Sequence, residues 1–125
     1  MTRVLVVDDD PQLLQLYVTA LSRAGYEPIT AQDGVDAMRG MESRPSIVLL
    51  DLEMPNANGY EFLEHLRGSP EHASIPVIVI SGNATGEWAL RVGATEFVAK
   101  PFKMTEVLDR IRKYAPLAPQ GRAEL

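Results

Sequence analysis

Apolar residues are distributed along this chain in two rhythms. Arg3 to Val7, Ser46 to Leu50 and Ile75 to Ile80 carry runs of Val, Ile and Leu without polar alternation, the pattern of strands covered on both faces of a parallel sheet. Glu27 to Ala31 and Glu96 to Ala99 are weaker strand segments. Pro28 has no amide hydrogen to give to a ladder, so the first of these suits a sheet edge. Between the strands the spacing becomes helical. Leu13, Leu16, Tyr17, Ala20, Leu21 and Ala24 form one apolar stripe, with Asp10 and Pro11 as cap and first-turn proline and Gly25 as the stop. Further helices are predicted over Val35 to Met41, Tyr60 to Arg67, Ala84 to Val92 and Met104 to Tyr114. In the last of them Met104, Val107, Leu108 and Ile111 make the buried stripe.

Five βα units in succession predict an α/β protein, with a parallel sheet and helices on both faces. Strands 1, 3 and 4 have the strongest apolar runs and belong at the centre, with strands 2 and 5 at the edges. A doubly wound order of 2-1-3-4-5 meets that demand, giving a flavodoxin-like three-layer sandwich of five strands and five helices.

Composition narrows the classes available. A length of 125 residues, 46% of them hydrophobic and 23% charged, fits one globular domain. No apolar run approaches the roughly 20 residues of a membrane span, and the N-terminus lacks a signal-peptide pattern, so a cytoplasmic protein without a membrane role is expected. A net charge of −5 speaks against direct nucleic-acid binding by this domain. The absence of cysteine excludes disulfides, thiolate metal sites and cysteine nucleophiles. After Tyr114, Pro116, Pro119 and Gly121 read as a tail or the start of a linker, which sets the expected domain at 1–115 and the tail at 116–125.

The candidate chemistry gathers at one end of the predicted sheet. Asp8 and Asp9 close strand 1, Asp51 closes strand 3, Ser81 closes strand 4 and Lys100 closes strand 5. Ligands of such sheets bind outside the carboxyl ends of the strands, at the switch point between strands 1 and 3. Two carboxylates about 4 Å apart repel by roughly 4 kcal/mol at an effective dielectric near 20. A hard divalent cation such as Mg²⁺ would relieve that repulsion. One carboxylate can then act as a nucleophile toward phosphorus, with Mg²⁺ and Lys100 neutralising the phosphoryl oxygens and Ser81 donating a hydrogen bond. Asp51, being central, is the candidate nucleophile.

Four separated motifs carry a family resemblance. Val4-Leu5-Val6-Val7-Asp8-Asp9-Asp10-Pro11, Leu49-Leu50-Asp51-Leu52-Glu53-Met54-Pro55 with Gly59, Ile80-Ser81-Gly82, and Lys100-Pro101-Phe102 together resemble the receiver domains of two-component response regulators over about residues 1 to 115. The resemblance implies that Asp51 is the phosphoacceptor. It implies that Asp9 binds Mg²⁺ directly, that Asp8 holds a metal-bound water, and that the Glu53 backbone carbonyl completes the protein ligands alongside Asp51. Lys100 would pair with the phosphoryl group, Lys100-Pro101 would be a cis peptide, and Ser81 with Phe97 would form a conformational switch. The implied partners are a histidine kinase or histidine phosphotransfer protein and a downstream protein target, with the domain a monomer or weak dimer. The chain would catalyse its own phosphorylation and dephosphorylation without turning over a separate substrate. Glu53 and Asn83 occupy positions that tune phosphoryl lifetime in the family.

This chain departs from the family between Ser81 and Lys100, which is about one helical turn short, so its fourth helix should be short and the output face there altered. Phe97 also lacks the hydroxyl of the more common tyrosine. Several residues have plainer readings. Asp10 is a helix cap, Met54 to Gly59 a turn into helix 3, His65 and His72 exposed imidazoles, and Trp88 a packing residue. Three competing functions remain at this point. A Mg²⁺-dependent aspartate-nucleophile phosphatase would want its nucleophile after strand 1 and a cap region. A flavin carrier would place a phosphate where Asp8, Asp9 and Asp10 repel it. A receiver-like module that binds partners without being phosphorylated is the third.

Overall fold

The computed structural model describes residues 2–53 and 59–117, apart from the side chains of Asn83 and Ala84. The order of elements is β1 (Arg3–Val7), α1 (Pro11–Arg23), β2 (Glu27–Ala31), α2 (Gly34–Gly40), a 3-10 turn (Met41–Ser43), β3 (Ile47–Asp51), α3 (Gly59–Gly68), β4 (Val77–Ser81), α4 (Asn83–Arg91), β5 (Glu96–Ala99) and α5 (Met104–Tyr114). All pairings are parallel, and the sheet order is β2-β1-β3-β4-β5. Five strands in this order between two helical layers are the doubly wound sandwich the apolar pattern predicts.

The unbroken apolar runs have a direct cause. Within β1, Leu5 and Val7 face a cluster with Ala37, Met41, Phe62, Leu63, Leu66 and Ala89, the layer of α2, α3 and α4. Val4 and Val6 face the other way, against Leu14, Tyr17 and Leu21 of α1 and Val107 and Ile111 of α5. Alternation persists in the backbone, yet both faces are dry, so every position is apolar. The same alternation sorts the carboxyl ends. Asp8, Asp51 and Lys100 continue the α1/α5 face of their strands, on which Val6, Leu49 and Val98 lie. Ser81 continues the α4 face, shared with Val79 and Phe97.

The strand limits differ from the sequence expectation by a residue or two. Ser46 lies outside β3, although its amide still bonds the Arg3 carbonyl at 2.9 Å, and β4 starts at Val77 rather than Ile75. Asp51 and Ser81 are themselves strand residues, paired in register with Ile80 and Ala99. These two side chains thus stand on the ladder itself, whereas Asp8 and Lys100 lie one residue past the ends of β1 and β5. Helix 2 has the predicted length of seven residues but lies one residue earlier, because the chain tightens at Met41 and leaves the turn through Arg44 in the left-handed region at φ 56°. Helix 4 spans only nine residues. Asp10 caps α1 by accepting from the Gln12 and Leu13 amides, which is the plain role its sequence position suggests. Of the turn predicted over Met54 to Gly59, residues 54–58 lie outside the described residues, as do 118–125 of the predicted tail. Among the described residues no helix is long and apolar enough to cross a membrane.

Candidate functional site

Asp51 sits at the centre of the carboxyl end of the sheet and is 5% exposed. Its two carboxylate oxygens each lie 3.2 Å from the Lys100 ammonium, and Oδ1 also accepts from the Glu53 amide at 2.8 Å. Two elements hold this pair: β3 brings the acid, and the end of β5 brings the lysine, across the intervening end of β4. Lys100 precedes a cis peptide to Pro101. Burial alone would lower the lysine's pKa, but the Asp51 charge and hydrogen bonds to Asp51 and Glu53 outweigh it and raise it. The side chain therefore stays an ammonium through the physiological range.

Asp8 completes an acid pair. It is almost fully buried, and one carboxylate oxygen accepts from the Asp10 amide at 2.9 Å while the other, Oδ2, has no partner among the described residues. Burial, partly offset by that amide bond and reinforced by the neighbouring Asp51, pushes its pKa up to about 6. A buried, unpaired carboxylate oxygen beside a second carboxylate is costly without a cation. The pair therefore fits a hard divalent ion, whose preferred environment is one or two carboxylates with waters. Asp9 stands on the exposed rim. Asp8, Asp9 and Asp51 are not drawn into a three-acid cluster; among the described residues no group of three acid, imidazole or thiol side chains is placed to hold a metal ion. The protein by itself therefore offers a partial ligand set.

Ser81 is fully buried, and Phe97 is half-buried on the same face of the sheet. The Phe97 ring packs directly under Gly86 of α4, where a Cβ would collide with the ring. Trp88, nearly half exposed, meets Tyr60 of α3 edge-on with ring centroids 4.4 Å apart. His65 is exposed on α3 and His72 half-exposed in the loop that follows.

Two groups at the site escape a sequence reading. The first is the Glu53 side chain. It turns back over the site to accept from the Gly82 amide at 2.7 Å and the Ser81 hydroxyl at 3.4 Å, and it pairs with Lys100 at 3.2 Å. The Gly82 bond is the largest influence and lowers its pKa; burial opposes it, and the lysine and the serine add to the lowering. The second is Tyr17, whose hydroxyl is buried near Asp8 and Asp51 without a partner among the described residues. Burial and those two charges raise its pKa, so it remains a neutral phenol. Its ring stacks on Phe102, just beyond the cis peptide, at 6.1 Å.

A doubly wound parallel sheet of order 2-1-3-4-5, with a buried acid pair, a lysine and a hydroxyl at its carboxyl end, places the chain among the flavodoxin-like α/β proteins. Comparison with known proteins specifies it. A family model described as the response regulator receiver domain matches residues 4–112, and the chain belongs to that family. It is 42% identical over 116 residues to the transcriptional regulatory protein KdpE of Mycobacterium tuberculosis, an alignment covering 90% of this chain and 50% of that protein. Among solved structures it is similar to the chemotaxis response regulator CheY4 of Vibrio cholerae, with a TM-score of 0.82 at 29% identity, covering 91% of this chain and 98% of that one. The receiver domain of NtrX from Brucella abortus superposes with a TM-score of 0.80 at 30% identity, covering 92% and 99%. The chain spans about half the length of the curated relatives it matches.

Proposed function

We propose that this receiver domain accepts a phosphoryl group on Asp51 from a phosphohistidine of a histidine kinase or phosphotransfer protein, in a reaction that depends on Mg²⁺. The observation that carries the reading is the Asp51 carboxylate, buried on a rigid strand with both oxygens toward Lys100 and an underliganded Asp8 beside it. An Asp51 oxygen attacks phosphorus, the P–N bond to the donor imidazole breaks, and an aspartyl phosphate forms; water later hydrolyses this mixed anhydride to inorganic phosphate. Lys100 orients the nucleophile, and its ammonium stands ready to pair with an added phosphoryl oxygen. The Ser81 hydroxyl donates to another. Asp8, Asp9, Asp51 and the Glu53 backbone carbonyl are the groups that would hold Mg²⁺, which when bound supplies charge neutralisation to the transferring group.

The readout lies in Ser81 and Phe97. A phosphoryl group draws the Ser81 hydroxyl toward it, and Phe97, on the same sheet face, turns into the space vacated, shifting a two-state equilibrium toward a form that a downstream protein target recognises. The receiver unit is built on 1–115, with 116–125 a tail or linker of which Leu117 still packs against the α1/α5 cluster. Incubation with acetyl phosphate, with and without Mg²⁺, followed by intact-mass measurement, tests the core of this reading. A Mg²⁺-dependent gain of one phosphoryl group, absent in Asp51→Asn, is the expected result. No adduct on the wild-type chain would leave a receiver fold that binds partners without being phosphorylated.

A further inference from the structure

Three donors at the site already hold an anion. The Gly82 amide at the cap of α4, the Ser81 hydroxyl at the end of β4 and the Lys100 ammonium after β5 all address one carboxylate, that of Glu53, at 2.7, 3.4 and 3.2 Å. The fit at the Gly82 end is close, since a Cβ on that glycine would come within 3.1 Å of the same Glu53 oxygen. Lys100 and Ser81 are the residues assigned above to the phosphoryl oxygens, and the Gly82 amide lies beside Ser81. An acid two residues beyond a strand would ordinarily be solvated, and a lone surface ion pair contributes little. Here the carboxylate is tied to three elements at once, one bond being a short charge-assisted one to a backbone amide.

We infer that the Glu53 carboxylate is an intramolecular occupant of the phosphoryl pocket, so that phosphorylation of Asp51 has to displace it. The inference rests on the reading of Asp51 as phosphoacceptor and adds a gate to it. The Glu53 side chain is 40% exposed and can swing into water without disturbing the fold. Its occupancy lowers the fraction of molecules competent for the donor. Apparent reactivity falls by that fraction, so a pocket filled by Glu53 in about nine molecules of ten reacts about tenfold more slowly than a cleared one. Substitution of the side chain leaves the backbone carbonyl, and with it the proposed metal ligand, in place.

Reach and charge are separable. Glu53→Ala removes both, whereas Glu53→Asp keeps the charge but is one methylene too short to span from the β3 end to the Gly82 amide. Initial rates of phosphorylation by acetyl phosphate, at saturating Mg²⁺ and fixed ionic strength, are expected to rise in both variants, on the order of tenfold. In parallel, the Gly82 amide resonance should shift upfield in both as it loses its carboxylate acceptor. If Glu53→Asp reacts like the wild type while Glu53→Ala is fast, charge alone acts and the occupancy is wrong. Unchanged rates in both, or an unmoved Gly82 resonance, also overturn it while the phosphoacceptor reading stands. If neither the wild type nor any variant gains a phosphoryl group, the phosphoacceptor reading falls and takes the gate with it.

Discussion

Burial and the neighbouring Asp51 strain the Asp8 carboxylate more than the Asp10 amide and the Lys100 charge relieve it. The Asp10 amide satisfies one oxygen, while the buried partner oxygen faces no donor among the described residues and Asp51 adds a second negative charge. Its pKa in the fold is raised from 3.8 to about 6, so the folded state prefers the protonated acid more than the unfolded chain does. The stability this group contributes is therefore fully present below about pH 4, declines as pH rises through about 6, and is level beyond. Asp8→Asn removes the charge at all pH values and should stabilise the metal-free protein on the order of 2 kcal/mol near neutral pH, with the gap closing by about pH 4. Urea denaturation of both proteins across that range checks it, and parallel curves would sink the argument. Added Mg²⁺ should stabilise the wild type more than the variant at neutral pH. At this scale Asp8, Asp51, Ser81 and Lys100 were legible in the sequence, because a polar residue ending an apolar run in a parallel sheet has only one place to be. Glu53 was not, since an acid on a loop can point anywhere until the positions of Gly82 and Lys100 are known. The Tyr17 hydroxyl was hidden by its membership of an apolar stripe, where only the ring is counted.

Elements were legible where their packing is regular and obscure where one atom decides. The five strands and five helices follow from runs and spacing, but the run that ends β3 stops a residue before the ladder does, because Asp51 is polar and still pairs with Ile80. Arg67 is another case. Reading α3 gives its helical position but not that it donates to the Gly93, Ala73 and Ile75 carbonyls and so ties α3 to the segments before β4 and after α4. Gly86 is the sharpest case. In a nine-residue helix a glycine costs about 1 kcal/mol relative to alanine, which would make Gly86→Ala stabilising on propensity alone. The Phe97 ring, however, fills the space a methyl group would need. Forcing a methyl into a filled site typically costs about 1–3 kcal/mol, so the clash should outweigh the propensity. The expected result is a net loss of about 1 kcal/mol for Gly86→Ala in the native background and a gain of similar size in a Phe97→Ala background. A double-mutant cycle by thermal or chemical unfolding measures the coupling. Additive effects would mean that Phe97 does not rest under α4. The proximity of Phe97 to α4 is thus set by a missing side chain, which explains how a nine-residue helix gives the ring a seat.

The whole molecule is closed by a contact between its first and last thirds. The Tyr26 hydroxyl, in the turn between α1 and β2, donates to the Ala115 carbonyl at 2.9 Å across 89 residues of sequence. Leu117 packs back over Gly25, whose φ of 97° requires glycine, and it joins the buried cluster of α1 and α5. The sequence offered Pro116 as the first residue of a tail, a sound reading of composition, but composition does not register that Ala115 is buried and Leu117 partly so. In a two-state fold such a contact bears on global rather than local stability, because breaking it frees both α5 and the α1–β2 turn from the same core. Tyr26→Phe leaves a buried carbonyl unpaired and should cost about 1–2 kcal/mol. A chain ending after Tyr114 loses that carbonyl and the Leu117 packing together and should lose roughly 3 kcal/mol, whereas one ending after Leu117 keeps both. If the contact works as one unit, Tyr26→Phe adds almost nothing to the chain that already ends at Tyr114. Urea midpoints for the truncations, each with and without Tyr26→Phe, decide the matter. Full additivity would show the hydroxyl bonded elsewhere in solution, and equal stability of the two truncated chains would show that the domain needs nothing beyond α5.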